Sequence, residues 1–187
     1  MELNLKDITF VIVTYRSETI IDSCLNSLPQ ECKKIIIENS NNIKMKEYLK
    51  FKYDNIEVIL SENKGMGAGN NIGLKACSTK YAYVLNPDTK LHEKTINNLI
   101  QSVKDISDFA LITPINDNLD IPNFKINKKT FKENRNILDV DSIDGFSMLF
   151  NLEKFNSNDF FDENFFLYLE KDDLCLRVKK RNERIFV

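Results

Sequence analysis

The sequence predicts an α/β fold built on a mainly parallel sheet. Three observations carry this. Short β-branched apolar runs recur along the chain, each is followed by a stretch with helical character, and each run ends in polar residues.

Ile8 to Thr14 (ITFVIVT) has the composition of a strand buried on both faces. Ser17 then reads as the N-cap of a helix reaching Leu28, with Ile20, Ile21, Cys24, Leu25 and Leu28 on one stripe and Pro29 as its stop. A second buried strand is predicted at Lys34 to Glu38, ending in Asn39-Ser40-Asn41-Asn42. A helix over about Lys44 to Phe51 leads to a third strand at Ile56 to Leu60. The glycine-rich stretch GMGAGNNIG opens a helix expected around Asn70 to Ala76. Tyr81 to Leu85 is the fourth strand, broken by Asn86-Pro87-Asp88, and an amphipathic helix follows over about Glu93 to Val103. Phe109 to Thr113 makes a fifth strand. Residues 114 to 140 lose the pattern and read as irregular loop, with Pro114, Pro122 and many Asn and Asp. Gly145 to Asn151 is strand-like, the last helix runs from about Leu169 to Arg181, and Arg184 to Val187 opens a further strand.

The 187 residues suffice for one domain spanning 1–187 with a substantial core, and no composition shift asks for a second. Hydrophobic residues at 42% and a formal net charge of -2 exclude a molecule drawn as a whole to nucleic acid or an anionic bilayer. Cys24, Cys32, Cys77 and Cys175 form no Cys-x-x-Cys pair, so a reducing cytoplasm is the simplest setting. No apolar run approaches the roughly 20 residues that span a bilayer. A single histidine, His92, excludes multi-histidine zinc sites.

In open α/β sheets ligands bind beyond the carboxyl ends of the strands. Four such ends carry polar residues: Thr14-Tyr15-Arg16, Glu38-Asn39-Ser40, Asn63-Lys64-Gly65 and Asn86-Pro87-Asp88. The glycines at 65, 67, 69 and 73 match neither a dinucleotide fingerprint, which belongs in the first strand-to-helix turn, nor a Walker A loop. They suggest a close approach of backbone to a ligand at a helix N-terminus, with Lys64 nearby for an anion; a turn shaped for its own geometry is the plain alternative. Asp88 after a buried strand can ligate Mg²⁺ or Mn²⁺ while substrate phosphates supply further ligands, although Asx-Pro also forms turns by itself. Glu170, Asp172 and Asp173 at a helix start suit its dipole and could equally include a general base.

The stretches VIVTYRSE, IIIENSNN, ENKGMGAGNNIGL, YVLNPD, DGFSMLF and FFDENFFLYLEKDDLCLR resemble, in order, family 2 glycosyltransferases with the GT-A fold. The likeness is strongest to the rhamnosyltransferase-like branch that builds bacterial surface polysaccharides, and it runs from residue 8 to about 181. It implies a nucleotide-sugar-binding half over 1–113 and an acceptor-side half over 114–187 with a small antiparallel region. It further implies a UDP- or dTDP-sugar donor such as a rhamnose donor, Mn²⁺ or Mg²⁺, inversion at the anomeric carbon, and a saccharide acceptor, lipid-linked in many relatives. A cytoplasmic protein working at the inner face of the membrane follows from the same likeness. By position, Thr14, Tyr15 and Glu18 would lie along the nucleotide and Glu38 at the base edge. Asn63 and Gly65 would line the nucleoside pocket, and Gly145 would sit under the acceptor and donor sugar. Asn86 and Asp88 stand where the family has Asp-x-Asp, which makes Asp88 the expected metal ligand.

Two departures matter. Lys171 occupies the family's usual base position, so Glu170, Asp172 or Asp173 must substitute, or the chain is a catalytically impaired nucleotide-sugar-binding remnant or partner subunit. Relatives also continue past the final strand to a histidine, which implies a C-terminally truncated chain. A sugar-phosphate nucleotidyltransferase shares the layout but would want a glycine- and basic-rich loop after strand one, where VTYRSE supplies only Arg16.

Overall fold

The computed structural model describes residues 4–106, 108–118, 120–126 and 137–187. Part of the expected loop over 114–140 therefore lies outside the described residues. The chain runs β1 (Ile8–Thr14), α1 (Ile21–Asn26), β2 (Lys33–Glu38), α2 (Ile43–Lys52), β3 (Ile56–Leu60), α3 (Met66–Ala76) and β4 (Tyr81–Leu85). It continues with α4 (Thr95–Asp105), β5 (Leu111–Ile112), β6 (Phe124–Lys125), β7 (Ser142–Ile143), β8 (Ser147–Asn151), α5 (Glu170–Lys180) and β9 (Ile185–Phe186).

Among the described residues, one sheet orders its strands β3-β2-β1-β4-β8-β5-β9. β1 pairs in parallel with β2 and β4, and β2 with β3, so four carboxyl ends share one edge. β8 runs antiparallel between β4 and β5, and β5 pairs in parallel with β9. β6 and β7 form a separate antiparallel ribbon.

Alternation along β1 explains the layering. Ile8, Phe10 and Ile12 point to one face, where they pack with Ile21, Cys24 and Leu25 of α1, Met45 and Leu49 of α2, and Ile96 and Leu99 of α4. Val11 points to the other face and joins Leu74 of α3, Val84, Phe150, and Leu174 and Val178 of α5. Helices cover both faces, which is why β1, β2 and β4 are buried at nearly every position.

Three elements differ from the sequence reading. Helix α1 begins at Ile21, because the Ser17 hydroxyl turns back on Tyr15, accepting from its amide at 3.2 Å and donating to its carbonyl at 3.3 Å, rather than capping the helix. Helix α3 begins at Met66 and takes in most of the glycine stretch. Those glycines serve packing on the sheet. A Cβ at Gly69 would lie 2.9 Å from Val13 Cγ1, and one at Gly73 would overlap Val11 Cγ1. The ribbon of β6 and β7 arises partly within the stretch read as loop.

Gly73→Ala should therefore destabilise the fold by about 2 kcal/mol, the usual cost of overpacking, despite alanine's better helix propensity. Urea unfolding of Gly73→Ala, Val11→Ala and the double variant checks this: the double variant should be more stable than the two single effects added together, whereas simple additivity would contradict the contact.

Candidate active site

The four carboxyl ends form a polar edge whose geometry is set locally. Thr14 is buried, its hydroxyl donating to Ile37 O at 3.3 Å, and its carbonyl accepts from the Asn39 amide at 2.8 Å. Beyond it the chain turns sharply, with Arg16 in the left-handed region at φ 53°. That turn lifts the half-exposed Tyr15 ring out of the edge, with the Arg16 guanidinium 5.3 Å from its centroid. Glu18 is exposed and accepts from Asn42 Nδ2 at 2.8 Å, tying the β1 end to the β2 end.

Glu38 is buried, and its carboxylate accepts from the Ser40 amide at 3.2 Å, the Ser40 hydroxyl and the Asn42 amide. It organises its own loop. Asn63 Oδ1 accepts from the Gly65 amide at 3.1 Å. Gly65 has φ +104°, a conformation that strains any other residue, and a Cβ there would overlap the Phe166 carbonyl. Asn39, buried at the β2 end, donates to Gly65 O at 3.4 Å and keeps its own Oδ1 without a hydrogen-bond partner.

At the β4 end, the Asn86 amide donates to Phe146 O at 2.8 Å, and the Asn86 carbonyl accepts from Thr89 N at 3.1 Å and from the Cys24 thiol. The Asp88 side chain is exposed. Burial pushes the Cys24 thiol up to about 12, and the Asp88 charge adds to the effect. Among the described residues no three His, Cys, Asp or Glu side chains gather as a metal cage. One exposed carboxylate and the neighbouring Asn86 amide oxygen fit a divalent ion that shares most of its ligands with a bound diphosphate.

The start of α5 closes the cleft from the other half. A Cβ at Gly67 would lie 3.6 Å from Glu170 Cβ, so α5 meets the first turn of α3. A Cβ at Gly145 would lie 3.3 Å from Lys171 Cβ, which brings the turn before β8 against the same helix start. The acids there are not equivalent. Asp173 binds Arg177 Nε at 2.8 Å, and that guanidinium also donates to Asp159 O and Phe160 O. Asp172 faces Lys171 Nζ at 3.2 Å and Lys125 Nζ at 3.8 Å. Glu170 keeps Oε2 buried with no hydrogen-bond partner. Lys171 Nζ sits 2.9 Å from Asp144 Oδ1. Burial works against its charge, but its hydrogen bonds to Asp144 and Asp172 outweigh that and hold its pKa above the ordinary lysine value. A lysine held charged cannot accept a proton.

The helix start of α3 is covered rather than open. Met66 N donates to Phe166 O at 3.1 Å. One turn further in, the buried Asn71 amide donates to Phe161 O at 2.8 Å and accepts from Phe161 N at 3.0 Å. Asn39 lies in the expected polar end Glu38-Asn39-Ser40 without an individual role, and Asn71 did not stand among the expected site residues; its one sequence signal was an asparagine within the glycine stretch. Two hollows of about 310 and 560 Å³ open at the opposite end of the sheet, lined by Leu28, Pro29 and His92 in one and by Lys33, Ile56 and Glu57 in the other. Neither approaches the polar edge.

A family model described as glycosyl transferase family 2 matches residues 9–173. The chain belongs to this family. It is similar to the low-salt glycan biosynthesis hexosyltransferase Agl10 of Haloferax volcanii, 24% identical over 203 residues, covering 97% of the chain and 64% of that protein. Among solved structures it is similar to a mannosyltransferase, PcManGT, of Pyrobaculum calidifontis in complex with GDP-Man and Mn²⁺, at TM-score 0.72 and 10% identity over 96% of this chain and 53% of that one. It is also similar to S. aureus TarS in complex with UDP-GlcNAc, at TM-score 0.67 and 14% identity over 95% of this chain and 55% of that one. The chain thus spans between about half and two thirds of the length of these relatives. The architecture is the GT-A fold, as the family 2 motifs imply.

The Lys171 interaction gives a pH dependence with a definite sign. Because the folded pKa is raised, its contribution to stability is fully present below the unfolded value of about 10.4 and fades as pH rises through the folded value. Denaturant midpoints of Lys171→Met should fall below wild type at pH 7 to 9, and the difference should shrink above about pH 11. A difference that stays constant with pH would mean the lost contacts are apolar.

Proposed function

We propose that this chain binds a nucleoside-diphosphate sugar at the polar edge and transfers the sugar, with inversion, to a hydroxyl of a saccharide acceptor. The observation that carries the reading is Glu170: of the three acids at the start of α5, it alone has a buried carboxylate oxygen with no partner, beside the first turn of α3. In this reading Glu170 takes the acceptor hydroxyl proton. The acceptor oxygen attacks the anomeric carbon, and the bond to the diphosphate breaks with its electron pair leaving on the phosphate oxygen. Asp172 and Asp173 hold the helix start in place through Lys125, Lys171 and Arg177.

Tyr15 would flank the nucleotide, with Thr14 and Glu18 shaping the turn that presents it. Glu38 would set the loop at the base edge, and Asn63 and Gly65 would border the nucleoside. Asn86 and Asp88 would hold Mn²⁺ or Mg²⁺, which supplies charge to stabilise the leaving diphosphate. Gly145 would leave room beneath the sugars. Residues 1–113 carry the donor half and 114–187 the acceptor side.

Relatives crystallised with UDP, UDP-GlcNAc or GDP-Man support a nucleotide-sugar donor. The motif series favours a UDP- or dTDP-sugar, with rhamnose among the candidates, and a lipid-linked saccharide acceptor in surface polysaccharide synthesis. No described helix is long and apolar enough to cross a membrane.

Glu170→Gln should lower kcat about 10²- to 10⁴-fold, the usual contribution of a general base, while UDP affinity measured by calorimetry stays unchanged. Turnover at the wild-type rate in Glu170→Gln would refute the assignment. Asp88→Ala should weaken UDP binding in the presence of Mn²⁺ and leave metal-free binding as it was.

A further inference from the structure

The mouth of the cleft carries a strip that the proposed reaction does not use. Phe166, Leu167, Tyr168 and Leu169 are 58%, 49%, 75% and 61% exposed. Single exposed apolar residues need no explanation, but four in succession, each about half exposed or more, mark a contact surface. Tyr168 and Leu169 also both have φ 67°, a left-handed conformation that bulky residues rarely adopt. The strip is not loose. It is tied at one end by Phe166 O to Met66 N at 3.1 Å and at the other by Asp173 N to Leu169 O at 2.9 Å, while Asn71 clasps Phe161 behind it. A strained pair persists only when its surroundings over-determine it, and such pairs gather where a side chain must be presented. Here the presented side chain is Tyr168, two residues before Glu170.

We propose that Tyr168 is a platform for the saccharide acceptor: its ring face stacks against the apolar C–H face of a pyranose and holds a hydroxyl near Glu170. The proposal rests on the transferase reading. The electron-rich face of an aromatic ring suits the C–H groups of a sugar, and a two-torsion side chain loses little freedom on stacking. Charge selects a neutral sugar over a bilayer. Phe166 to Leu169 include no lysine or arginine, and the neighbouring Lys171 is taken up by Asp144 and Asp172, so the strip brings no cation of its own to an anionic lipid surface.

The natural chain contains no tryptophan, so Tyr168→Trp places the sole indole on this strip. Titrating the full chain with methyl α-mannoside, methyl β-glucoside and methyl α-rhamnoside should change its emission with half-saturation on the order of 10 mM, the weak affinity expected of one stacked ring. Saturation-transfer NMR should detect the same glycosides with wild type and Tyr168→Phe and lose at least about 90% of the signal with Tyr168→Ala, a ten-fold weakening. Emission indifferent to every glycoside, or shifted equally by glycerol, overturns the platform. A shift with phosphatidylglycerol vesicles and none with glycosides overturns it too, in favour of membrane contact. UDP titrated into the same variant separates the two readings: UDP binding without glycoside binding sinks the platform alone, and loss of UDP binding in wild type sinks the donor site.

Discussion

Helix α3 lies on the Val11 and Val13 side chains of β1 through Gly69 and Gly73, which present no side chain of their own, and the polar edge depends on that closeness. Because α3 is drawn onto the sheet, its first residues come within reach of the β2 end, where Asn39 donates to Gly65 O. The same placement lets the segment from Phe161 to Phe166 run along the helix, held by the Asn71 amide and the Met66 amide. That segment in turn delivers Glu170 to the first turn of α3. A side chain at position 73 would push the helix outward and loosen each of these contacts in sequence. Gly69 and Gly73 act through helix–sheet packing on Val13 and Val11.

Four charged residues in a row at the start of α5 acquire different tasks from their surroundings. Asp173 is neutralised along its own helix by Arg177, whose guanidinium also takes up the carbonyls of Asp159 and Phe160. Lys171 reaches back to Asp144 and so fastens the helix start to the turn before β8. Phe146, two residues past Asp144, accepts from the Asn86 amide. A continuous set of contacts therefore joins the helix start to the β4 end, where a diphosphate would leave. Within that frame Glu170 keeps one carboxylate oxygen buried and without a hydrogen-bond partner. Lys171 serves as the fastening there, and on the proposed reading the base is the adjacent Glu170.

Much of this was legible in the sequence. The apolar runs ITFVIVT, KIIIE and YAYVL are β-branched or aromatic and short, which marks strands buried on both faces, and all three are strands. Their polar ends mark one edge of the sheet, and β1 to β4 bring those ends together. What was illegible depended on partners far along the chain. Ser17 has the chemistry of a helix cap, but a competing bond to Tyr15 moved the helix start to Ile21. GMGAGNNIG reads as a glycine-rich entry to a helix starting near Asn70, whereas the helix starts at Met66, with Gly69 and Gly73 packed on Val13 and Val11. β6 and β7 are two residues each, too short for any periodicity to reveal. The ranking of Glu170 over Asp172 and Asp173 required knowing where Lys125 and Asp144 come to lie.

The central claim is that a nucleoside diphosphate occupies the edge formed by the ends of β1 to β4. Amide chemical-shift mapping of the isotope-labelled chain with UDP and Mg²⁺ tests it most directly. The account predicts perturbations concentrated at residues 14–18, 39–42, 61–67, 86–88 and 145–146. Perturbations concentrated instead at Leu28, His92 and Ile96, or at Lys33 and Glu57, would place the nucleotide at the opposite end of the sheet and contradict it.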